Sequence, residues 1–287
     1  MAAARALGAE PRVVDPLRVA VAWQGAARLL VDGETAPAAP RHVIPRIGAA
    51  SARASLGVLR HLELMGAAPL NPAAAIAVAR DKLATAQAMI AAGIPVPASM
   101  VVRSAGQLEA ALDVVGGLPV VMKVLRGSRG VGVVLLETLE DLRMHAQLLW
   151  QAGEEVLLQR FVAEAGRTDI RAIVVGDQVV AAMERRASSG EFRSNVHQGG
   201  TVHAVTLARD VAALAVRASR ALGLGVGGVD LILAREGPLV LEVNASPGLS
   251  GIERATGVDV ATAMVQHALR DDVNQPQPAR RRRPLVA

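Results

Sequence analysis

The stretch GGVDLILAREGPLVLEVNASPG, residues 227–248, consists of two apolar runs around Arg235-Glu236-Gly237. Glycine at the third position of a three-residue turn supplies a left-handed backbone, so the stretch predicts a β-hairpin. Folding about this turn places Asp230 opposite Glu242, with the two side chains on one face and about 5 Å apart. Asn244 follows Glu242 by two residues and therefore shares that face.

This face of the hairpin carries oxygen atoms suited to a metal ion. Two carboxylates and an amide carbonyl that converge among Val, Leu and Ile side chains would repel one another if they were left unpaired. A hard divalent cation relieves the repulsion, and an all-oxygen set favours magnesium or manganese over zinc. Asp230, Glu242 and Asn244 are therefore the candidate metal ligands. The alternative is that one acid faces solvent and the pairing is accidental.

A second stretch, PVVMKVLRGSRGVGVV at residues 119–134, combines an apolar strand with a glycine-rich loop. Lys123 interrupts the strand, and a buried lysine needs an anion such as phosphate. Gly127, Gly130 and Gly132 form a loop whose backbone N–H groups can approach phosphates. The loop joins strand to strand and no Gly-Lys-Ser/Thr follows, which excludes a Walker loop and a Rossmann fingerprint. Taken alone, such a glycine hairpin is as often only a turn.

The stretch EVLLQRFV, residues 155–162, predicts an edge strand that leads into a linker between two lobes. In a two-lobed nucleotide enzyme, such a hinge offers backbone groups to an adenine. Asp169 and Arg171 follow in TDIRAIVV, where strand alternation places both on one face. The alternative for these two residues is a surface ion pair.

A polar, cation-rich segment, ERRASSGEFRSNVHQGG at residues 184–200, lies between two predicted strands. Arg185, Arg186, Arg193 and His197 could hold an anionic substrate or a phosphoryl group in transfer. Taken singly, each arginine is more often a solvated surface residue.

The composition of the 287-residue chain fits a soluble α/β protein, with 52% hydrophobic and 20% charged residues. The chain has no cysteine, which excludes disulfides, thiolate nucleophiles and cysteine-bound metals and is compatible with the cytoplasm. No apolar stretch approaches the length of about twenty residues that a membrane-spanning helix needs. The net charge of +5 includes a terminal run, Arg280 to Arg283, that is either a solvated tail or a site for an acidic or RNA-rich partner.

Strand and helix patterns alternate along the chain. The first eighty residues predict a short helix, a strand over 12–15, a hairpin, an apolar strand over 42–47, a helix over 50–65 and a helix start at Asn71-Pro72, with Asn71 as the cap. Two α/β lobes follow. Their predicted strands are SMVVR, PVVMKVL and VVLLE, then 155–161, 169–175, 178–185 and the hairpin over 228–244, and their predicted helices are 104–115, 138–151, 207–222 and 258–270.

Taken together, these segments resemble the ATP-grasp superfamily, and within it the RimK family of glutamate ligases. The matching strings cover residues 43 to about 270 in order. They are VIPRIG, GAAPLN, ARDKLATAQ, GGLPVVMKVLRGSRGVGVVL, LLQRFVAEAGRTDIRAIVVGDQVVAAMERRA, GEFRSNVHQGG and GVDLILAREGPLVLEVNASPGLSGIE. So long an ordered match is far more specific than any single motif.

The resemblance implies a role for each matching residue. The ATP-binding residues would be Lys82 and Lys123 at the phosphates, Gly127 and Gly130 in the covering loop, Gln159, Arg160, Phe161 and Val162 at the adenine, and Asp169 near the ribose. Arg193 would hold the γ-phosphate or an acyl phosphate, so that Arg193 and Lys123 are the expected catalytic residues. Asp230, Glu242 and Asn244 would bind two magnesium or manganese ions, and Arg46, Arg185 and Asn195 would face the substrate.

The resemblance also implies a fold and a domain order. We expect a pre-ATP-grasp α/β domain over 1–80, then an ATP-grasp domain over 81–270 with a small lobe at about 95–155 and a large lobe at about 156–270. Residues 271–287 are expected to be a disordered basic tail. The N-terminal sequence begins inside what should be the first helix, so the first strand is expected to be missing, through a miscalled start or a trimmed lobe.

The implied activity is an ATP-dependent ligation of an amino acid to a carboxylate through an acyl phosphate. Within the RimK family, the expected acceptor is the C-terminus of small-subunit ribosomal protein six, the expected donor is glutamate, and homo-oligomers are common. Two alternatives stay open: a small-molecule glutamate or amino-acid ligase of the same fold, and a non-catalytic ribosome- or RNA-binding module driven by the basic charge. The second alternative gives the Asp230–Glu242 pair no role.

Overall fold

Four sheets organise the part of the chain that the computed structural model describes, residues 1–36, 38–48, 50–126, 132–187 and 200–270. Two antiparallel sheets, of five and four strands, carry the candidate site. A three-stranded sheet and a short parallel pair belong to the first 70 residues. This mixed α/β arrangement is the one that the sequence predicts.

The N-terminal region has small elements around one longer helix. Its elements are α1 (Ala2–Ala6), β1 (Val19–Gln24), β2 (Ala26–Val31), β3 (Glu34–Thr35), β4 (His42–Val43), α2 (Ala52–Leu64), β5 (Ala68–Pro69) and α3 (Ala73–Ala79). The strand predicted at 12–15 is wrong: Pro16 follows it, and Asp15 instead accepts a hydrogen bond from Leu17 N at 2.9 Å. The strand predicted over 42–47 is shorter, and only its first two residues pair with β5.

The smaller of the two main sheets has the strand order β6-β9-β7-β8. Its region contains α4 (Lys82–Ala91), β6 (Ser99–Val102), α5 (Leu108–Val115), β7 (Val120–Val124), β8 (Val133–Leu136), α6 (Leu139–Gln151) and β9 (Val156–Arg160). Strand β9 pairs with both β6 and β7, so the prediction that it is an edge strand is wrong. Its first four residues are buried, as in a central strand.

Alternation along β7 sorts its side chains between two environments. Val120 and Met122 pack with Leu142 of α6 and other buried residues beneath the helices. Lys123 points to the opposite face of the sheet, where it lines a cavity. The period of two along a strand therefore places the lysine predicted from the sequence at the site.

The larger main sheet has the order β12-β11-β10-β13-β14 and helices on both faces. Its elements are β10 (Thr168–Val175), β11 (Gln178–Arg186), β12 (Thr201–Ala204), α7 (Arg209–Ala221), β13 (Val226–Ala234), β14 (Gly237–Asn244), α8 (Ser250–Thr256) and α9 (Val260–Ala268). Ala172 and Val174 of β10 share a buried cluster with residues of α3, α4 and α7. Ile173, between them, packs with α8 and α9 on the other face.

The hairpin β13–β14 differs from the prediction at its turn. Ala234 pairs with Gly237, so two residues form the turn where three were predicted. A bulge between Asp230 and Leu231 then shifts the register by one residue, and Asp230 pairs with Glu242 as predicted. The bulge therefore restores the alignment that the shorter turn would have lost.

Asn71 has a different role from the predicted helix cap. Its Nδ2 donates to the carbonyls of Val226 and Ala245, both at 2.8 Å, and its Oδ1 accepts from Val226 N at 2.8 Å. Pro72 takes the cap position of α3 instead. Asn71 is thus a buried link from the N-terminal region to β13 and to the residue that follows β14.

No helix in the described ranges is long and apolar enough to cross a membrane.

Candidate active site

A cavity of about 1320 Å³ lies where the small sheet, the end of β14 and helices α2 to α4 meet. Pockets for single small ligands typically measure about 300–1,000 Å³, so this one has room for a nucleotide and part of a second substrate. The residues predicted from the sequence that line it are Arg46, Lys82, Lys123, Gln159, Glu242 and Asn244.

Lys123 is one of the cations that line the cavity. Its Nζ donates to Gln159 Oε1 at 2.6 Å, and Gln159 Nε2 donates in turn to Ser99 Oγ at 3.1 Å. Burial lowers the pKa of Lys123 to about 8; Lys82 also lowers it, while Glu242 and Asp230 act in the opposite direction. Lys123 is therefore a cation that burial penalises and that an incoming anion would stabilise.

Lys82 reaches the same cavity from the first residue of α4. Asp81 caps this helix by accepting from Leu83 N at 3.0 Å and Ala84 N at 3.1 Å. Lys82 N donates to Leu125 O at 3.2 Å, which ties the helix start to the end of β7. The two lysines that the resemblance assigns to phosphates are thus brought to one cavity wall.

Asp230 lies behind this wall in a buried ionic network. Arg171 Nε and Nη2 donate to the two carboxylate oxygens of Asp230 at 2.7 and 2.6 Å. Arg185 Nη2 lies 3.0 Å from Asp230 Oδ2. Burial by itself raises the pKa of Asp230, but the two arginines outweigh burial and hold this pKa below its usual value. Arg185 also donates to Asp169, at 2.6 and 2.7 Å. Asp169 and Arg171 are therefore parts of a buried network, which differs from the surface pair considered above.

The three metal ligands predicted from the sequence differ in how accessible their oxygen atoms are to a cation. Glu242 and Asn244 line the cavity, and Asn244 Nδ2 lies 3.5 Å from Gly228 O, which leaves Oδ1 as its ligand atom. Asp230 sits opposite Glu242, but arginines occupy both of its oxygens. Within the described ranges, no three His, Cys, Asp or Glu residues cluster closely enough to hold a metal ion. The oxygen donors of Glu242 and Asn244 suit magnesium or manganese, whereas Asp230 is paired with Arg171 and Arg185.

Arg46 lies on the other side of the β14 terminus. Its Nη2 donates to Pro247 O at 2.6 Å, and Ile47 N donates to Ser246 Oγ at 3.2 Å. Burial lowers the pKa of the Arg46 guanidinium. The segment around Arg46 is thus fixed to the loop that follows Asn244, beside the cavity.

Several other predicted site residues do not meet at the cavity. Of residues 159–162 only Gln159 lines it; Arg160 forms an ion pair with Glu236, and Val162 is buried. Asp169 and Arg185 bond to each other behind the wall. Gly127, Gly130, Arg193 and Asn195 lie outside the described residues. The individual roles of these residues in binding ATP and substrate stay predictions.

Sequence reasoning missed a group of arginines along the cavity. Arg53, Arg60, Arg80 and Arg126 all line it. The signal for the first two was present in the sequence, since Arg53, Leu56 and Arg60 recur at the spacing that places residues on one face of a helix.

Comparison with family models and comparison with individual proteins give the same assignment. The model of the RimK-like ATP-grasp domain matches residues 79–268, and that of the RimK pre-ATP-grasp domain matches residues 1–76. A probable alpha-L-glutamate ligase 1 from Shewanella frigidimarina is 43% identical over 265 residues, which cover 92% of this chain and 88% of that protein. A ribosomal protein bS6–L-glutamate ligase from Shigella boydii is 44% identical over 224 residues, covering 78% and 75%.

Solved structures agree with the fold. The ATP-grasp ligase PsnB complexed with a minimal precursor has a TM-score of 0.70 at 25% identity, with 92% and 91% of the two chains covered. The RimK domain protein ATP-grasp from Sphaerobacter thermophilus has a TM-score of 0.68 at 24% identity, with 94% and 93% covered. Both align over nearly the whole chain.

Proposed function

The chain belongs to the RimK family of ATP-grasp ligases, and from this premise we propose that it adds L-glutamate to the C-terminal carboxylate of small-subunit ribosomal protein six. It is an ATP-dependent carbon–nitrogen ligase that releases ADP. The observation that carries the choice of acceptor is the 44% identity to bS6 ligases over 78% of the chain. A ribosomal acceptor places the reaction in the cytoplasm.

The proposed reaction has two steps at one site. An acceptor carboxylate oxygen attacks the γ-phosphorus of ATP, which forms an acyl phosphate and releases ADP. The amine of glutamate then attacks the acyl carbon, loses a proton, and expels inorganic phosphate as the amide forms. Neither step needs a covalent bond to the protein, so catalysis consists of positioning the reactants and neutralising charge.

The protein's part in the first step falls mainly to two lysines. Lys82 and Lys123 line the same cavity wall and would bind the triphosphate. The hydrogen bond from Lys123 to Gln159 fixes the ammonium group on the cavity face of the small sheet. Because Lys123 is only partly exposed and burial lowers its pKa, its charge acts in a poorly solvated environment and is stronger there than in water.

Two magnesium or manganese ions complete the proposal. Glu242 and Asn244 would hold them from the cavity face, and Asp230 would join once its bonds to Arg171 open. Bound metal supplies positive charge to the phosphates. Arg46, beside the end of β14, would face the acceptor carboxylate.

A second candidate is a glutamate ligase with another acceptor. It is favoured by the alpha-L-glutamate ligase of Shewanella frigidimarina, which aligns over more of the chain and whose name specifies no acceptor. A non-catalytic ribosome-binding module is not supported, because the chain belongs to a family of ligases.

The test measures ADP release by the purified chain with ATP, magnesium and glutamate, with and without ribosomal protein six. Mass spectrometry of the acceptor is the second readout. We expect ADP release that depends on the acceptor, with the acceptor gaining whole glutamate residues, and we expect loss of both in Lys123→Met. ADP release without modification of the acceptor would overturn the ribosomal assignment and favour the second candidate.

A further inference from the structure

The walls of the cavity carry a large excess of positive charge. Its cationic residues are Arg46, Arg53, Arg60, Arg80, Lys82, Lys123, Arg126 and Arg171, and its acidic residues in the described ranges are Asp81 and Glu242. A cleft lined by one sign of charge concentrates the field and attracts ligands of the opposite sign. One nucleotide and its metals do not account for eight cationic residues around so large a cavity.

Most of these cations already have a function in the fold or at the nucleotide end. Arg46 donates to Pro247 O, Arg126 lies 3.4 Å from Asp81, and Arg171 holds Asp230. Lys82 and Lys123 belong to the proposed phosphate site. Three arginines remain to be explained: Arg53, Arg60 and Arg80.

These three arginines, which we name the arginine arm, form no side-chain hydrogen bond or ion pair with any residue in the described part of the chain. Arg53 and Arg60 are exposed on α2, and Arg80 is half-buried between α3 and α4. Leu56, also on the cavity wall, lies between the first two on the same helix face. Guanidinium groups that line one cavity and have no side-chain partner among the described residues are suited to bind carboxylates from outside.

The spacing of the arm fits an extended peptide. Arg53 and Arg60 are seven residues apart, which is about 10 Å along a helix axis. An extended chain advances about 3.3–3.6 Å per residue and its side chains alternate between two faces, so acidic residues two or four positions apart share a face at about 7 or 14 Å. These distances bracket the arginine separation, and the long arginine side chains can span the difference. The arm follows Arg46 in the sequence, and Arg46 is fixed beside the end of β14.

We propose that the arginine arm is an acceptor-tail subsite, which binds the acidic side chains that precede the C-terminal carboxylate and so favours acceptors that already end in acidic residues. This inference rests on the proposed function.

The test compares two peptides with the same carrier sequence, one ending in four glutamates and one ending in three glutamines and a glutamate. In the unaltered protein, we expect the KM of the acidic peptide to be ~25-fold lower than that of the glutamine peptide. This value assumes two exposed charge contacts, each of which lowers the KM ~5-fold. The double variant Arg53→Gln/Arg60→Gln is expected to bring the two KM values within about 3-fold while kcat stays within about 2-fold. Arg220→Gln, an exposed arginine of α7 that does not line the cavity, is the matched control.

Binding without turnover separates this inference from the proposed function. Fluorescence anisotropy of the labelled acidic peptide, with ADP and magnesium present, reports the arm even if the peptide is never modified. Weaker binding in the double variant, with full binding in Arg220→Gln and Arg53→Lys/Arg60→Lys, supports the subsite. Unchanged binding in the double variant overturns it, as does displacement of the peptide by a short RNA at lower concentrations than by the unlabelled peptide. If tight peptide binding is found but no glutamate is added, only the proposed function fails.

Discussion

Arg171 donates hydrogen bonds to both carboxylate oxygens of Asp230, while Glu242, directly across the hairpin from Asp230, faces the cavity. Two acids that are neighbours in register therefore stand in different surroundings. One is neutralised by the chain, and the other is open to a ligand. This difference leads to separable expectations for variants of the three residues.

Replacement of Arg171 by methionine should destabilise the protein strongly. The change leaves Asp230 buried with Arg185 as its remaining partner, and removing one member of a buried ion pair typically costs roughly 3–5 kcal/mol. We expect the lower end of this range, measured by urea unfolding at neutral pH. Arg186→Met is the control, because this arginine is exposed and lies 3.7 Å from Glu184, so its loss should cost less than about 1 kcal/mol. Equal effects of the two variants would contradict the buried network.

Glu242→Gln should separate activity from stability. Glu242 is half-buried on the cavity wall. We therefore expect the substitution to change the free energy of unfolding of the protein by less than about 1 kcal/mol, as for most substitutions outside packed networks. Loss of a metal-binding carboxylate should lower ADP release by about 100-fold or more, because charge neutralisation in the transition state is lost. The Asp230→Asn variant should lose both ADP release and stability. The exposed Glu137→Gln is the control. Normal turnover by the Glu242→Gln variant would show that Glu242 does not take part in the reaction.

ATP binding should weaken as the pH rises above 8. In the free protein, burial lowers the pKa of Lys123 to about 8. Bound phosphates favour the charged ammonium, so the pKa of Lys123 in the complex is higher, and ATP binding takes up a proton between the two values. Between the pKa values of Lys123 in the free protein and in the complex, the dissociation constant for ATP should therefore rise by up to ~10-fold per pH unit. Below that range, the dissociation constant should not change with pH.

Isothermal titration of ATP between pH 7 and 9.5 measures this dependence. Lys123→Arg is the control, because its guanidinium stays charged throughout the range. The two proteins should differ in slope above pH 8. Parallel profiles would mean that another group causes the dependence.

Asn71→Ala should loosen the junction between the N-terminal region and the large sheet. The change removes three hydrogen bonds of 2.8 Å and leaves buried backbone groups of Val226 and Ala245 without these partners. At about 1 kcal/mol for each bond, the expected loss is roughly 3 kcal/mol in the free energy of unfolding. Ser55→Ala is the control, since Ser55 is also buried but its hydroxyl bonds, among the residues that the structure describes, only to Ser51 at 3.2 Å. A loss no larger than that of the control would mean that water replaces the missing amide.

Local patterns in the sequence were sufficient for most of the two main sheets. Alternation predicts β10, β11 and β13–β14, and it places Lys123 and Glu242 on the faces where they occur. The register of Asp230 and Glu242 is confirmed, although the turn is shorter than predicted and a bulge compensates. Turn length and bulges depend on backbone conformations that several sequences adopt equally well.

Long-range partners could not be predicted in the same way. Asn71-Pro72 is a good local helix start, but tertiary hydrogen bonds to Val226 and Ala245 determine the role of Asn71. The pairing of Arg171 with Asp230 joins residues 59 positions apart, and no spacing rule connects them. The central position of β9 could not be predicted, because its two neighbours, β6 and β7, are distant in sequence from it and from each other.

The hydrogen bond from Arg46 to Pro247 joins residues 201 positions apart, and Ile47 with Ser246 adds a second bond beside it. If Arg46 faces the acceptor as proposed, the choice of acceptor and the transfer of phosphate depend on segments that are joined by these bonds and cannot be exchanged separately. A chimera that takes its first 76 residues from a relative would need a matching loop at 245–248, because the foreign segment must dock on the carbonyl of Pro247. New acceptor preferences should accordingly arise through paired changes in the two segments.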